Sequence, residues 1–220
     1  MRIFEKIRKN IGSALFPAHC FLCKATNTSL CSSCASRLRT TNKNPDSQIY
    51  SVLNYQDDSV RGVLHAFKFS NRRDLAAPLA QFLHDRLLNG LEELETMEGF
   101  TEPLLVPIPM SKREKHRRGY NQAELLCSEL DTMSKESLFA YKPNALLKHK
   151  DTQSQSRTKN KKERLANVVG CFTIKDPALV RNQNIILVDD IVTTGATLGE
   201  AMKVLKKAGA RKVIAITIAH

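Results

Sequence analysis

Residues Ile185–Thr197 read IILVDDIVTTGAT, and this stretch decides the fold. Ile185, Ile186, Leu187 and Val188 form a continuous apolar run, the pattern of a parallel strand buried on both faces. Asp189 and Asp190 follow at its carboxyl end, then Thr193, Thr194, Gly195, Ala196 and Thr197, and then helical spacing to Lys207. A strand that runs through a short turn into a helix makes an anion site. The first N–H groups of a helix have no intrahelical partner, and the helix dipole favours negative charge there. Gly195 lets the backbone turn and approach a ligand closely, and the threonine hydroxyls add donors. Asp189 and Asp190 are acceptors suited to the hydroxyl groups of a sugar. The chain has no G-x-x-x-x-G-K-[ST] loop and no G-x-G-x-x-G fingerprint, so the anion site is of another kind.

Outward from this stretch, strand and helix patterns alternate. Gln48–Gln56 reads as a strand, and Asp58 is placed to cap a helix through His65 and Phe67. Asp74–Leu91 has helical spacing, and the acidic run Glu92–Glu98 reads as solvated. Leu104–Pro109 (LLVPIP) reads as a buried strand entering a loop, and Asn121–Leu130 as a helix. Val168–Ile174, Asn184–Asp190 and Arg211–Ala219 read as strands, with a helix at Thr197–Lys207 and Gly209 just past its end. The fold class expected is α/β: a doubly wound, mainly parallel sheet that binds ligands at the carboxyl ends of its strands.

The chain has 220 residues, 42% of them hydrophobic, no Trp and a net charge of +12. Such a chain can bury a core, which excludes a disordered protein, and its charge favours polyanions or phosphorylated small molecules. No run of about 18 apolar residues occurs, so no membrane span is expected. Met1–Phe16 is charged throughout and carries no secretory signal pattern, which points to a cytoplasmic setting. Within it, the spacing of Ile3, Phe4, Ile7, Ile11 and Leu15 predicts a basic amphipathic helix, docked on its own domain or lying on a membrane surface.

Cys20-x-x-Cys23 and Cys31-x-x-Cys34 are two knuckles with seven residues between them. Four thiolates satisfy tetrahedral Zn²⁺, and a closed shell of four ligands is structural rather than catalytic. His19 is an alternative ligand, but the four-cysteine set is simpler. Cys127 and Cys171 stand alone and read as small buried residues. The division expected is residues 1–45 as an N-terminal helix and zinc module, and 46–220 as the main domain.

Two basic segments remain. Val106–Leu126 reads VPIPMSKREKHRRGYNQAELL, where a strand end opens into a cationic loop suited to pyrophosphate; Lys112, Arg113, Arg117 and Arg118 are the candidates. Tyr120, beside Arg117 and Arg118, is a candidate for stacking on a nucleic-acid base, the alternative being packing on the helix that follows. Thr152–Val168 reads TQSQSRTKNKKERLANV and offers Arg157, Lys159, Lys162 and Arg164 as further anion contacts.

The paired knuckles, VPIP…RRGYNQAELL, Q…ERLANV and LVDDIVTTGATL occur in the order of the ComF/ComFC family of competence proteins, which the chain resembles over nearly its whole length. LVDDIVTTGAT itself resembles the motif of type I phosphoribosyltransferases that grips phosphoribosyl pyrophosphate (PRPP). The resemblance implies a type I phosphoribosyltransferase fold carrying an N-terminal zinc module. It implies that Asp189 and Asp190 hold the ribose hydroxyls and act in any catalysis, and that Thr193–Thr197 hold the 5′-phosphate. Lys112, Arg113, Arg117, Arg118 and Arg164 would serve the pyrophosphate, and Mg²⁺ would bridge it to the ribose. It further implies a cytoplasmic role in natural transformation, at the inner face of the inner membrane, assisting import of single-stranded DNA with a helicase of the uptake machinery. The motifs leave the acceptor open. They also leave open whether the chain is an enzyme or a single-stranded DNA-binding module that keeps the PRPP fold, with Arg117, Arg118 and Tyr120 as its nucleic-acid contacts.

Overall fold

The computed structural model describes residues 18–41, 46–134, 138–150 and 168–220, apart from the side chains of Glu93 and Met97. The expected N-terminal helix and Arg157, Lys159, Lys162 and Arg164 lie outside the described residues.

In chain order the elements are α1 (Ser32–Ala35), β1 (Ile49–Leu53), α2 (Asp58–Phe69), α3 (Ala76–Glu98), β2 (Leu104–Pro107), α4 (Lys112–Arg118) and α5 (Gln122–Met133). There follow β3 (Ala140–Tyr141), β4 (Leu147–Lys148), β5 (Phe172–Thr173), β6 (Asn184–Ile191), α6 (Ala196–Lys207) and β7 (Lys212–Ala219). Five strands pair in parallel in the order β1-β7-β6-β2-β3, and β4 and β5 form a separate antiparallel pair.

The sheet is buried on both faces, which is why β6 and β7 are apolar at almost every position. Ile186, Val188, Ile214 and Ile216 point to one layer, with Phe67, Leu79, Leu83, Leu126 and Leu130 of α2, α3 and α5. Ile185, Leu187, Val213 and Ala215 point to the other, with Leu198, Ala201 and Leu205 of α6. The doubly wound parallel sheet is therefore the fold. β2 winds through α5 to β3 on one side, while β6, its neighbour on the other side, winds through α6 to β7. The winding direction reverses between β2 and β6, and the crevice outside their carboxyl ends is where such sheets bind ligands.

Local chemistry corrects several boundaries. Asp57, not Asp58, caps α2: its Oδ1 accepts from the N–H groups of Ser59 (2.8 Å) and Val60 (3.1 Å). The acidic stretch Glu92–Glu98 continues α3, which ends where Gly99 takes a left-handed φ of 59°. Val168–Ile174 contributes only the two residues of β5 as strand. The cationic segment after β2 is helical rather than a loop. Ser111 Oγ accepts from Glu114 N, Lys and Arg are good helix formers, and Gly119 closes the helix at φ 81°.

Residues 18–41 pack directly on the main domain. Cys20, Leu30, Cys34 and Leu38 share a core with Leu53, Val60 and Leu64. Arg72 Nη2 donates to the His19 carbonyl (3.0 Å), and Ser29 Oγ to that of Asp74 (2.8 Å). No helix among the described residues is long and apolar enough to cross a membrane.

Candidate functional site

A cleft of about 430 Å³ opens at the carboxyl ends of β2 and β6. Its floor is Asp189–Leu198; Ile108–Met110 form the wall after β2, and Glu114, Arg117, Arg118, Asn121 and Gln122 come from α4 and its surroundings. Tyr55, Lys68, Phe69 and Lys148 complete it. Fold and motif thus bring together Asp189, Asp190, Thr193, Thr194, Gly195, Ala196, Thr197, Arg117 and Arg118. Lys112 and Arg113 do not line it: they sit exposed on α4.

The turn from β6 to α6 is built as its residue types require. Gly195 caps α6 with φ 73°, in the left-handed region that disfavours side chains. Thr194 Oγ1 accepts from Ala196 N at 3.4 Å. The first turn of α6 faces the cleft, so its amide groups and dipole favour an anion there.

The two aspartates are held differently. Asp190 is buried, with 5% exposed, and pairs with Lys68 through Oδ1 and Nζ at 3.0 Å. Asp189 Oδ1 accepts from Asp190 N at 2.9 Å. Burial, and then repulsion from Asp190, push the Asp189 carboxyl up to about 7, against a partial offset from Lys68. A cleft carboxyl that changes charge near neutrality is a common mark of a functional site.

The RGYNQ segment is the frame of the cleft. Asn121 Nδ2 donates to the Ile108 carbonyl (3.0 Å), while its Oδ1 caps α5 by accepting from Ala123 N (3.0 Å). Tyr120 Oη donates to the Phe67 carbonyl, and Gln122 Nε2 to that of Lys68 (3.4 Å). Those carbonyls belong to the last turn of α2, which has no helical partners for them. The segment therefore ties the β2 loop, the end of α2 and the start of α5 together. Tyr120 is 5% exposed, with its ring against Phe67 and under the Arg73 guanidinium. Of the two readings offered for Tyr120, the structure has the packed one: the ring is enclosed and lines no part of the cleft.

Several cleft side chains were not anticipated, Lys68, Phe69 and Lys148 among them. Lys68 and Phe69 lie in HAFKFSNRR, residues 65–73, whose interleaved aromatic and basic residues were the available signal. Lys148 pairs with Glu114 at 3.5 Å and carried no signal of its own.

Away from the cleft, the ligating sulfurs of Cys20, Cys23, Cys31 and Cys34 all lie within 4.8 Å of one another. A tetrahedral Zn²⁺ with bonds of about 2.3 Å needs sulfurs about 3.8 Å apart, so the cluster could hold a metal such as zinc. Burial opposes ionisation of Cys20, but the backbone N–H groups of Cys23 and Cys31 outweigh it and bring its thiol down to about 6. Cys34 is pushed up to about 12, first by the hydrogen bonds of Cys23 and Cys31. Four sulfurs this close cannot all ionise without a cation, which is the chemistry of a metal-ligand set. Cys127 and Cys171 are buried, and burial raises both thiols.

The phosphoribosyl transferase domain family matches residues 116–220. "DNA utilization protein YhgH" of Escherichia coli strain K12 is 30% identical over 151 residues, covering 69% of this chain and 63% of that protein. "Competence protein F" of Haemophilus influenzae is 30% identical over 156 residues, with the same coverages of 69% and 63%. "Competence protein ComFC" of Bacillus subtilis is 36% identical over 116 residues, covering 52% of this chain and 43% of that protein. The chain thus spans less than two thirds of the length of each of these relatives. With its parallel sheet and its cysteine cluster, the chain carries a phosphoribosyltransferase domain, and its homologues are the ComF/ComFC and YhgH proteins.

Proposed function

We propose that this protein binds PRPP in the cleft between β2 and β6 and acts in natural transformation, assisting import of single-stranded DNA from the cytoplasmic face of the inner membrane. The observation that supports this most is the shared cleft: an anion-favouring helix start, two carboxylates and two arginines line one space of about 430 Å³. The 5′-phosphate belongs on Thr193–Thr197, and the ribose hydroxyls donate to Asp189 and Asp190. Arg117 and Arg118 lie on the opposite wall, suited to the pyrophosphate; Arg164 is a further candidate from the sequence. The competence and DNA-utilization names of the relatives motivate the cellular role.

As an enzyme, the protein would break the bond between the anomeric carbon and pyrophosphate and pass the phosphoribosyl group to an acceptor or to water. The transition state carries positive charge on the ribose, and Asp189 or Asp190 stabilises it by proximity. Mg²⁺ held with the pyrophosphate would supply neutralising charge as that group leaves. Calorimetric titration with PRPP and Mg²⁺ tests binding, and pyrophosphate release with a panel of acceptors tests turnover. Binding without release leaves a PRPP-binding module, and no binding removes the reading.

A second reading, binding of single-stranded DNA, is favoured by the charge of +12 and by α4, which exposes Lys112, Arg113, Lys115, His116 and Arg117 beside the cleft. Such binding weakens steeply with salt and competes with PRPP if the two share the cleft. Under either reading residues 1–45 form a structural zinc module on the 46–220 domain. Partners in the uptake machinery, such as a helicase, and peripheral contact with the membrane are parts of the same proposal.

A further inference from the structure

Phe69 is the last residue of α2, and 56% of it is exposed at the mouth of the cleft. Leu88, Val169 and Leu179 are the other large exposed apolar residues among those described, so Phe69 is the exposed aromatic of the set. An aromatic ring left in water costs hydrophobic free energy unless something covers it at work.

Its placement is unusually well held. The preceding residue, Lys68, is anchored to Asp190, and the carbonyls of Phe67 and Lys68 are bound by Tyr120 and Gln122. The Arg118 guanidinium lies over the ring at 5.2 Å from its centroid, and the His65 ring leans on it at 4.9 Å with a tilt of 48°. Arg118 is itself oriented through Nη1 on Gln122 Oε1 at 3.4 Å. The result is a fixed aromatic face with a cation on one side, in a basic cleft that holds an anion-favouring loop.

We propose that Phe69 is the stacking platform for a base of single-stranded nucleic acid whose phosphates follow the basic wall of the cleft and α4. This rests on the second reading above and names the residue that would give it base contact, a place Tyr120 cannot fill from inside the core. A polymer fits better than a free base. Small-molecule sites usually enclose most of their ligand, whereas Phe69 is 56% exposed at a cleft that Arg117 and Arg118 of α4 also line. A face that accepts any base gives contact without sequence preference, and base–aromatic stacking in such proteins is worth roughly 10-fold in affinity per base.

The test compares (dT)12 with an abasic twelve-nucleotide strand of the same charge. The wild type should bind (dT)12 about 10-fold more tightly, and Phe69→Ala should remove that preference while leaving the salt dependence unchanged, because the phosphate contacts remain. The chain contains no Trp, so Phe69→Trp installs a single tryptophan at the site that can be excited selectively over the tyrosines. Its emission should be quenched by (dT)12 and not by the abasic strand, and its circular dichroism should match the wild type. Equal affinity of the wild type for both strands, an unchanged preference in Phe69→Ala, or a Trp emission indifferent to bases would each overturn the proposal. PRPP binding by the wild type is scored separately. PRPP binding without base discrimination sinks this inference alone, while base discrimination without PRPP binding sinks the PRPP reading alone.

Discussion

Lys68 Nζ lies 3.0 Å from Asp190 Oδ1, so an aspartate near the carboxyl end of the central strand is neutralised by a side chain from a helix far earlier in the chain. The contact does two things at once. It makes a buried carboxylate tolerable, and it fixes the end of α2 over the cleft.

Removing that cation should therefore be costly. In Lys68→Met the carboxylate of Asp190 stays buried without its partner, and the loss expected is about 3 kcal/mol. Urea unfolding measures it. The double variant Lys68→Met/Asp190→Asn should recover most of the loss; if the single variant is as stable as the wild type, the pair has no structural weight.

The raised Asp189 carboxyl makes a pH prediction with a definite sign. Its folded-state value, about 7, lies above the 3.8 of an ordinary aspartate, so the folded protein favours the protonated form. This contribution to stability is fully present below about pH 4 and is lost as pH rises through about 7. Asp189→Asn, neutral throughout, should gain stability relative to the wild type between pH 5 and pH 8. Ribose binding uses the ionised form as acceptor, so PRPP affinity of the wild type should rise over the same window with proton release. Calorimetry in two buffers of different ionisation enthalpy reads that proton directly, and a pH-independent affinity would refute the assignment.

At Gly195 the strain is in the backbone and not in the space. A Cβ there would meet Ile49 Cδ1 at 3.6 Å, an ordinary contact, but φ is 73°. Gly195→Ala should cost about 1–2 kcal/mol in stability. Because the loop relaxes by moving its amides, PRPP binding should fall by roughly 10-fold, about the loss of one good hydrogen bond to a charged group. Thermal unfolding and calorimetry check the two effects separately.

The cysteine cluster should hold one zinc ion per chain. Structural zinc binding is on the order of 10 kcal/mol in isolated zinc-finger peptides, comparable to the whole stability of a domain. Since Cys20 and Cys34 share the core under α2, a strong chelator or Cys20→Ser should lower the unfolding temperature of the whole protein and not melt residues 18–41 alone. Elemental analysis and a calorimetric scan test this; a zinc-free preparation with unchanged unfolding would rule the site out.

Much of this protein was legible in its residues because the signals were local. The run Ile185–Val188, the two aspartates, Gly195 and the helix after it are consecutive, so strand, turn and helix start follow from burial pattern, charge and backbone freedom alone. The cysteine knuckles are readable for the same reason. One misreading overlooked local capping, and the other surprises arose where tertiary context decides. The charge of Ser111–Arg118 suggested a loop, yet a serine cap and a glycine stop make it a helix that aims Arg117 and Arg118 inward and Lys112 and Arg113 away. Tyr120 had the composition of a stacking residue, but its hydroxyl serves a carbonyl of α2 and its ring is enclosed. Lys68, Lys148 and Phe69 enter the cleft only because the tertiary fold brings α2 and β4 to the ends of β2 and β6. The sequence by itself determined the anion loop, the thiolate set and the fold class, since each depends on neighbours in the chain. Which cation meets Asp190, and which aromatic ring stays open to a ligand, was decided by packing between elements far apart in sequence.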